Sequence, residues 1–247
     1  MKQQQILEYW NDAETESMYD KYLLEAEINL IKQYLSPNSK ILDAGCGEGE
    51  GTLVYASIPG VEMYATDYSH TRLKKAEERL KNCANVTLLE VNFLDDYSLP
   101  KDFDYIISQR FLINLSESKL QHQVLLDLML LLKPGGKLLM LEGSKQGAEF
   151  LNSFRVAWGL EPIPVKWHNL FFDDAALVTF MKKNGYSLVE ESGLGTYFFL
   201  TRGIKPALQN DLNWQCEFNK TAASKTMQAL LGFTTEFSRL KLWIFEK

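Results

Sequence analysis

The pattern of hydrophobic and polar residues predicts a chain in which strands and helices alternate. Short apolar runs bounded by turn residues indicate strands, and apolar positions with the period of a helix lie between them. The predicted strands cover residues 40–43, 61–66, 85–91, 104–108, 137–142, 186–191 and 240–245. Because the alternation is strict through residue 142, we expect a parallel sheet with helices on both faces and ligands at the carboxyl ends of its strands.

The helical segments and the connections follow from the same pattern. An amphipathic helix is predicted over residues 18–35, and Ser116 is predicted to cap another helix. Residues 144–172 are rich in Trp, Pro, Asn and Arg and are predicted to be an irregular insertion. Asp173 is predicted to begin the next helix, and a polar helical stretch is predicted over residues 206–231.

Composition excludes several classes of protein. The chain has 247 residues and is 46% hydrophobic, which is enough for a sizeable core. Its net charge of -6, without a basic block, argues against nucleic-acid binding. The longest apolar run, residues 124–132, is short and contains Asp127, so we expect no membrane insertion and no signal peptide. The scattered cysteines Cys46, Cys83 and Cys216 fit a reducing cytoplasm and no disulfide framework.

Residues 41–49 carry the strongest local signal. An apolar pair leads into Asp43, and glycine then occupies every second position of a predicted strand-to-helix turn. Glycines allow the backbone to turn sharply and to lie against a ligand. A dinucleotide-binding loop would need a further glycine where Glu50 stands, and Glu48 would repel a pyrophosphate. The loop therefore favours a zwitterionic or cationic ligand.

The run Asp-Ala-Gly-Cys-Gly-Glu-Gly at residues 43–49 resembles motif I of the class I S-adenosylmethionine-dependent methyltransferases. Further similar segments follow in the family's order at residues 103–107 and 132–138, so that the resemblance covers residues 40–141. It implies a Rossmann-like α/β fold whose seven-stranded sheet has the order 3-2-1-4-5-7-6 with the last strand antiparallel. It also implies S-adenosyl-L-methionine as cofactor and S-adenosyl-L-homocysteine as product.

The resemblance assigns cofactor contacts residue by residue. Asp67 ends the second strand, where the family holds both ribose hydroxyls with a carboxylate. Asn92 stands where the family usually has an acid that contacts the adenine amino group, and its carbonyl oxygen can accept the same bond. The predicted cofactor-binding residues are Asp43, Gly45, Cys46, Gly47, Gly49, Asp67, Tyr68, Asn92, Phe93 and Gln109.

Several methyltransferase subtypes are disfavoured. The fourth strand is followed by Ser-Gln-Arg-Phe at residues 108–111, without the Asn-Pro-Pro-Tyr of nucleobase amino methylation and without a carboxylate for a metal ion. No Pro-Cys pair for cytosine carbon methylation occurs. Residues 142–144, 159–164, 167–169 and 196–202 are similar to methyltransferases of bacterial surface-polysaccharide and sugar pathways. This second resemblance implies a metal-independent O-methyltransferase that acts on a sugar, a sugar nucleotide or a related polar precursor.

Arginines from separate segments suggest an anionic substrate. Arg110, Arg155 and Arg202 are expected at one mouth, where guanidinium groups would hold a phosphate or a carboxylate. The alternative is that each arginine pairs with a local acid, for which the candidates are Glu142, Glu161 and Glu191. The predicted substrate-binding residues are Arg110, Asn114, Arg155, Trp167 and Arg202.

His168 is the preferred candidate for a general base. It lies in the insertion at the active end of the sheet, and a neutral imidazole can take a hydroxyl proton near physiological pH. Tyr197 is the second candidate, and a structural role for His168 remains open as an alternative. Trp10 belongs either to the core or to a lid that excludes water.

We therefore expect a single methyltransferase domain over residues 1–247. Its parts are an N-terminal helical cap (1–36), a cofactor-binding core (37–143), a substrate-side insertion (144–172) and a C-terminal part of the sheet with a helical insertion (173–247). Alternatives are methylation of another phosphorylated or carboxylated metabolite, and a non-catalytic S-adenosylmethionine-binding protein. The aromatic segment near Tyr197 could form a homodimer surface.

Overall fold

The computed structural model describes residues 2–16, 18–209 and 213–247. In chain order its first half contains α1 (Lys2–Asn11), α2 (Lys21–Lys32), β1 (Lys40–Ala44), α3 (Glu50–Ala56), β2 (Glu62–Asp67), α4 (His70–Leu80), β3 (Val86–Glu90), β4 (Phe103–Gln109) and α5 (Ser118–Leu131). The second half contains β5 (Leu132–Gly143), α6 (Lys145–Ala157), α7 (Asp174–Lys183), β6 (Ser187–Gly193), α8 (Gly195–Phe198), α9 (Lys205–Leu208), α10 (Glu217–Ala223), α11 (Lys225–Leu231) and β7 (Leu240–Glu246). A π-helical segment, Phe199–Ile204, joins α8 to α9.

The strands form one seven-stranded sheet in the order β3-β2-β1-β4-β5-β7-β6. β1 pairs in parallel with β2 and β4, whereas β7 pairs antiparallel with both β5 and β6. The predicted strand order and the antiparallel last strand are confirmed. The carboxyl ends of β1, β2, β3 and β4 consequently meet at one edge of the sheet.

Each face of the sheet carries its own hydrophobic layer. Ile41 and Leu139 face the layer that contains α2 and α3, while their neighbours Leu42 and Met140 face the layer that contains α5 and α7. All four side chains are fully buried. Adjacent strand residues point to opposite faces, so two apolar residues in a row are what a strand covered on both sides requires.

Several local predictions need correction. The helix predicted from residue 18 begins at Lys21, because the side chain of Asp20 accepts the N–H of Leu23 and caps it. Ser116 does not cap α5, whose N-cap residue is Glu117. The helical stretch predicted over residues 206–231 is divided between α9, α10 and α11.

The prediction of an irregular insertion is wrong for its first half. Residues 145–157 form α6, and Ser144 caps this helix by accepting the N–H of Gly147 at 2.9 Å. Only the following residues, up to Phe172, run without a regular helix or strand. In the part of the chain that the structure describes, no helix combines the length and the apolar character needed to cross a membrane.

Candidate active site

The loop that follows β1 brings the backbone to the carboxyl edge of the sheet. Its glycines Gly45, Gly47 and Gly49 all have positive φ, between 58° and 79°. A Cβ on Gly47 would meet no atom within 4 Å, so the surface of the loop is open at this point. On the other side, the backbone N–H groups of Gly45 and Cys46 both donate to the carbonyl oxygen of Thr66 at 2.8 Å. The loop is thus fixed to the end of β2 and open towards a ligand.

Two buried carboxylates stand at the ends of β1 and β2. Thr52 Oγ1 donates to Asp43 Oδ2 at 2.6 Å, and burial raises the pKa of Asp43 to about 6. Asp67 accepts the N–H of Gly47 at 3.0 Å on one oxygen and the N–H of Ser69 at 2.9 Å on the other. Burial raises the pKa of Asp67 as well, although these backbone hydrogen bonds oppose the shift.

Both carboxylates line a cavity of about 560 Å³ at this edge of the sheet. The predicted cofactor residues that line it are Asp43, Gly45, Cys46, Gly47, Asp67, Tyr68, Asn92, Phe93 and Gln109. Gly49 does not line the cavity, because it is the N-cap residue of α3 and faces the side chain of Leu80. Its inclusion among the cofactor contacts is therefore corrected.

The residues after β3 form a tight turn. Asn92 Oδ1 accepts the N–H of Leu94 at 3.1 Å, and Asn92 Nδ2 donates to Asp95 Oδ2 at 2.7 Å. Phe93 is buried and packs against Phe111, with ring centroids 5.5 Å apart. The carbonyl oxygen of Asn92 already accepts one bond, and its second lone pair can accept another from a ligand.

Helix α1 covers the cavity. Trp10 Nε1 donates to Asn114 Oδ1 at 3.1 Å, and the hydroxyl of Tyr68 donates to the carbonyl oxygen of Leu7 at 3.0 Å. The guanidinium of Arg72 donates to the carbonyl oxygen of Trp10 at 3.0 Å and lies over its indole ring. Of the two alternatives for Trp10, the structure thus supports the lid. Arg72 was not identified from the sequence, because its partner lies 62 residues away.

His168 is one of the residues that line the cavity. Its side chain is buried, and its Nδ1 has no hydrogen-bond partner among the described residues. Tyr9 of α1 stacks on the imidazole, and Trp10 contacts it edge-on. Burial, with a smaller contribution from the charge of Lys166, lowers the pKa of His168 to about 4. The imidazole is consequently neutral at physiological pH and presents a ring nitrogen within the cavity wall.

Besides Gly49, two predicted site residues, Tyr197 and Trp167, do not line the cavity. Tyr197 is fully buried, and its hydroxyl contacts both carboxylate oxygens of Asp20, at 2.7 and 2.9 Å. Burial and the Asp20 charge raise the pKa of this phenol, so the prediction of Tyr197 as a base is corrected. Trp167 is 53% exposed and packs edge-on against Tyr9 and His168, so it supports the wall from outside the cavity.

The arginine side chains form two separate groups. Arg110 lines the cavity and forms an ion pair with buried Glu27, at 3.0 Å. Gln109 donates to the same carboxylate at 2.8 Å. Arg155 and Arg202 line another part of the wall, and Arg202 pairs with Asp20 at 2.6 Å. Arg110 and Arg202 therefore do pair with acids. These acids, Glu27 and Asp20, belong to α2 and its cap and are not the candidates named from the sequence.

Arg239 belongs to the second group and was not identified from the sequence. It lies just before β7, lines the cavity and donates to the carbonyl oxygens of Ile163 and Pro164, at 3.0 and 3.1 Å. Burial, then the charges of Arg202 and Arg155, lower its pKa to about 10. No motif surrounds it, and only the antiparallel return of β7 brings it to the site.

Glu142 fixes the loop that follows β4. Its carboxylate accepts the N–H groups of Phe111, Leu112 and Ile113 at 2.9 to 3.1 Å and the hydroxyl of Ser108 at 2.6 Å. Arg110, the residue before Phe111, has a positive φ of 53° at the start of this loop. Burial raises the pKa of Glu142 to about 7. This carboxylate is thus a backbone anchor for the loop and not the partner of an arginine side chain.

Comparisons with known proteins bear on the family and the fold of the chain. Residues 35–193 match a family model described as a methyltransferase domain. A demethylmenaquinone methyltransferase from Staphylococcus carnosus is 31% identical over 109 residues, which are 43% of this chain and 44% of that protein. A ubiquinone/menaquinone biosynthesis C-methyltransferase UbiE from Vibrio cholerae is 28% identical over 189 residues, covering 68% of this chain and 69% of the other.

A solved structure gives a similar result for the fold. The N-methyltransferase NodS from Bradyrhizobium japonicum, in complex with S-adenosyl-L-homocysteine, has a TM-score of 0.59 and 14% sequence identity, and the match covers 100% of this chain and 98% of that one. This likeness shows the fold alone. The matched segment spans 44% and 61% of the length of two demethylmenaquinone methyltransferases, less than two thirds in both.

Proposed function

Because the chain belongs to this methyltransferase-domain family, we propose that it transfers the methyl group of S-adenosyl-L-methionine to a hydroxyl of a small, polar, anionic molecule. S-adenosyl-L-homocysteine is the product. The reaction is independent of metal ions, and His168 assists it as a general base. The acceptor class is a sugar, a sugar nucleotide or a polysaccharide precursor.

The residues around the open glycine loop fit the cofactor. Asp67 lines the cavity, and its two oxygens accept the N–H groups of Gly47 and Ser69. A carboxylate has about four lone-pair sites, so it can also accept the two hydroxyls of a ribose. The carbonyl oxygen of Asn92 can accept from an adenine amino group, and Gly47 leaves room for close approach. When bound, S-adenosylmethionine supplies an electrophilic methyl group. The two carboxylates, Asp43 and Asp67, favour a cationic sulfonium over an anionic dinucleotide.

The observation that carries the proposal is the position of His168. A neutral imidazole whose buried Nδ1 has no hydrogen-bond partner among the described residues lines the same cavity as the glycine loop and Asp67. An alcohol that gains a methyl group passes through an oxonium ion, whose proton is far more acidic than that of the alcohol. Even a base with a pKa of about 4 can therefore accept this proton during transfer. The protein's remaining task is alignment and exclusion of water, which α1 serves by covering the cavity.

The curated relatives favour a second candidate. Two of them are named as methyltransferases of quinone biosynthesis, one of them explicitly as a C-methyltransferase. In carbon methylation of a hydroquinone, the ring carbon would take the methyl group and then lose its proton, and His168 could accept that proton because the cationic ring intermediate is strongly acidic. The arginines of the cavity favour an anionic acceptor over this apolar one. The division into cap, core and insertion, and a homodimer, stay predictions.

Two measurements test the proposal in sequence. Calorimetric titration with S-adenosylmethionine and S-adenosylhomocysteine first establishes cofactor binding, and its absence would contradict the proposal entirely. Methyl transfer is then measured with sugar nucleotides, sugar phosphates, carboxylated metabolites and short-chain hydroquinones. Methylation of an anionic hydroxyl compound is the expected result. Turnover confined to hydroquinones would establish the second candidate, and cofactor binding without turnover on any acceptor would favour a non-catalytic binding protein.

A further inference from the structure

We propose that Arg155, Arg202 and Arg239 together bind a phosphoryl dianion carried by the acceptor. The proposal rests on the proposed function, because it assigns a chemical group to the molecule that occupies the same cavity. It also changes the set of substrate residues. Arg239 enters the set, whereas Arg110 leaves it because it belongs to the other group of arginines, where it pairs with Glu27 of α2.

The three arginines reach the cavity from distant parts of the chain. Arg155 lies in the last turn of α6, Arg202 in the π-helical segment and Arg239 immediately before β7. All three line the cavity. Arg155 contacts the carbonyl oxygen of Arg202 directly, so α6 and the π-helical segment are joined within the cluster. Arg239 lines the same cavity, and the charges of Arg155 and Arg202 contribute to the lowering of its pKa.

Charge within this cluster is not balanced by the described residues. Asp20 forms an ion pair with Arg202, while the other two arginines donate to backbone carbonyl oxygens of the described residues, and Arg239 also lies over the ring of Phe171. All of these further partners are neutral. Three guanidinium groups and one carboxylate leave two positive charges in a partly buried wall. In addition, Nη1 of Arg202 is buried without a hydrogen-bond partner among the described residues. Unbalanced, desolvated charge is costly, and a dianion would offset it.

The chemistry of the donors favours phosphate over a single carboxylate. Three guanidinium groups offer enough donors for the several oxygens of a phosphoryl dianion, whereas a planar carboxylate is satisfied by one bidentate partner. The backbone contacts of Arg239 also matter for position, because they hold the segment at residues 163–164 that leads to His168. A phosphoryl group bound here would therefore fix the acceptor relative to the proposed base.

Titration of the protein saturated with S-adenosylhomocysteine tests the inference, with inorganic phosphate as probe at slightly alkaline pH and acetate as the monoanion. We expect phosphate to bind and acetate to bind at least tenfold more weakly. The variants Arg239→Gln and Arg155→Gln should each weaken phosphate binding by roughly tenfold, with an unchanged affinity for S-adenosylhomocysteine. Lys183→Gln makes the same charge change on an exposed residue of α7 and should leave both affinities unchanged.

The outcomes separate this inference from the proposed function. Failure of S-adenosylhomocysteine to bind the wild-type protein contradicts the proposed function. Normal binding of S-adenosylhomocysteine without phosphate binding, or with equal binding of acetate, overturns the inference alone. Unchanged phosphate affinity in the arginine variants also overturns it. If Arg239→Gln fails to bind S-adenosylhomocysteine because it misfolds, Arg155→Gln decides the question, since its side chain lies at a helix end and is only half-buried.

Discussion

Tyr9 stacks on His168, with ring centroids 4.7 Å apart and ring planes inclined by 24°. The contact joins α1, which covers the cavity, to the residue proposed as the base. The position of α1 over the cavity and the orientation of the imidazole are therefore coupled through this contact. The stacking also explains how a short irregular segment can hold His168 in one orientation, because the ring is held by its faces and not by a hydrogen bond of Nδ1.

Replacement of His168 tests the proposed base. His168→Asn should lower kcat by about 100-fold while the affinity for S-adenosylmethionine stays constant, because only the proton acceptor is lost. His122→Asn is the matched control, since His122 stacks on Phe180 away from the cavity lining. Steady-state kinetics and calorimetry together make the measurement. Retention of near wild-type turnover in His168→Asn would exclude it as base.

The pH profile provides an independent test of the same residue. With a pKa of about 4, His168 is already neutral at pH 6, so its titration should cause no loss of kcat between pH 8 and about pH 5. Activity that depends on His168 should fall only as the pH approaches its pKa and the imidazole becomes charged. A fall in kcat with an apparent pKa near 6.5, abolished in His168→Asn, would show that the imidazole is solvated and not buried.

Asp67 should control cofactor affinity. Asp67→Asn retains one acceptor oxygen but replaces the other with a donor, which would face the N–H of Gly47 or Ser69 or a ribose hydroxyl. We expect the Kd of S-adenosylhomocysteine to rise by about tenfold to 100-fold. Asp104→Asn makes the same chemical change at a partly exposed carboxylate that pairs with Lys133, and it should not alter the Kd. Equal affinities for the two variants in calorimetry would contradict the assignment.

Glu142 should make stability fall as pH rises. Its pKa is raised to about 7 by burial, against 4.5 for an unperturbed side chain, so the folded state binds more protons than the unfolded state between these values. The contribution of Glu142 to the free energy of unfolding is therefore greatest below about pH 4.5. It declines as the pH rises through 7, by at most about 1.4 kcal/mol per pH unit. Urea denaturation at several pH values measures this slope.

A variant isolates the contribution of Glu142 from those of other carboxyl groups. Glu142→Gln removes the titrating group, so its stability should depend less on pH over the same window. At neutral pH it should also be less stable by about 1–3 kcal/mol, because an amide NH₂ then faces a backbone N–H of the loop at residues 111–113. An identical pH slope in the two proteins would show that other groups, such as Asp43, dominate the linkage.

The lid contact of Trp10 should govern retention of the cofactor. Trp10→Phe keeps an aromatic ring but removes the donor to Asn114, so we expect faster hydrogen exchange in α1 and a KM for S-adenosylmethionine raised severalfold. Trp158→Phe is the control, because this exposed side chain at the end of α6 does not line the cavity. Unchanged exchange of α1 in Trp10→Phe would mean that the hydrogen bond does not hold the lid.

The cofactor side of the site was largely predictable because it is local in sequence. Gly47 and Asp67 each follow a strand, and parallel register brings strand ends to one edge of the sheet. The substrate side depends on contacts between distant segments. Asp20 meets Tyr197 and Arg202 across 177 and 182 residues, and no local pattern indicates which acid will meet which arginine.

Helix α6 shows a different reason for failure. It exposes Phe150 and Val156 on its outer surface, with Trp158 directly after its end, and all three side chains are more than half exposed. An apolar outer face obscures the contrast between a core side and a solvent side on which helix prediction depends. The aromatic character of residues 144–172 was consequently interpreted as irregular structure, although Ser144 provides an ordinary helix cap.

The arginine cluster has a consequence for the speed of acceptor binding. The protein carries a net charge of -6, so an approaching anion meets an overall repulsion besides the local attraction of the arginines, and salt screens both interactions over a Debye length of about 10 Å at 0.1 M. Added salt should therefore increase the association rate by screening the overall repulsion, and increase the dissociation rate by weakening the contacts with the arginines. The two effects oppose each other in the equilibrium constant. Affinity for an anionic acceptor should consequently vary less with ionic strength than either rate constant does.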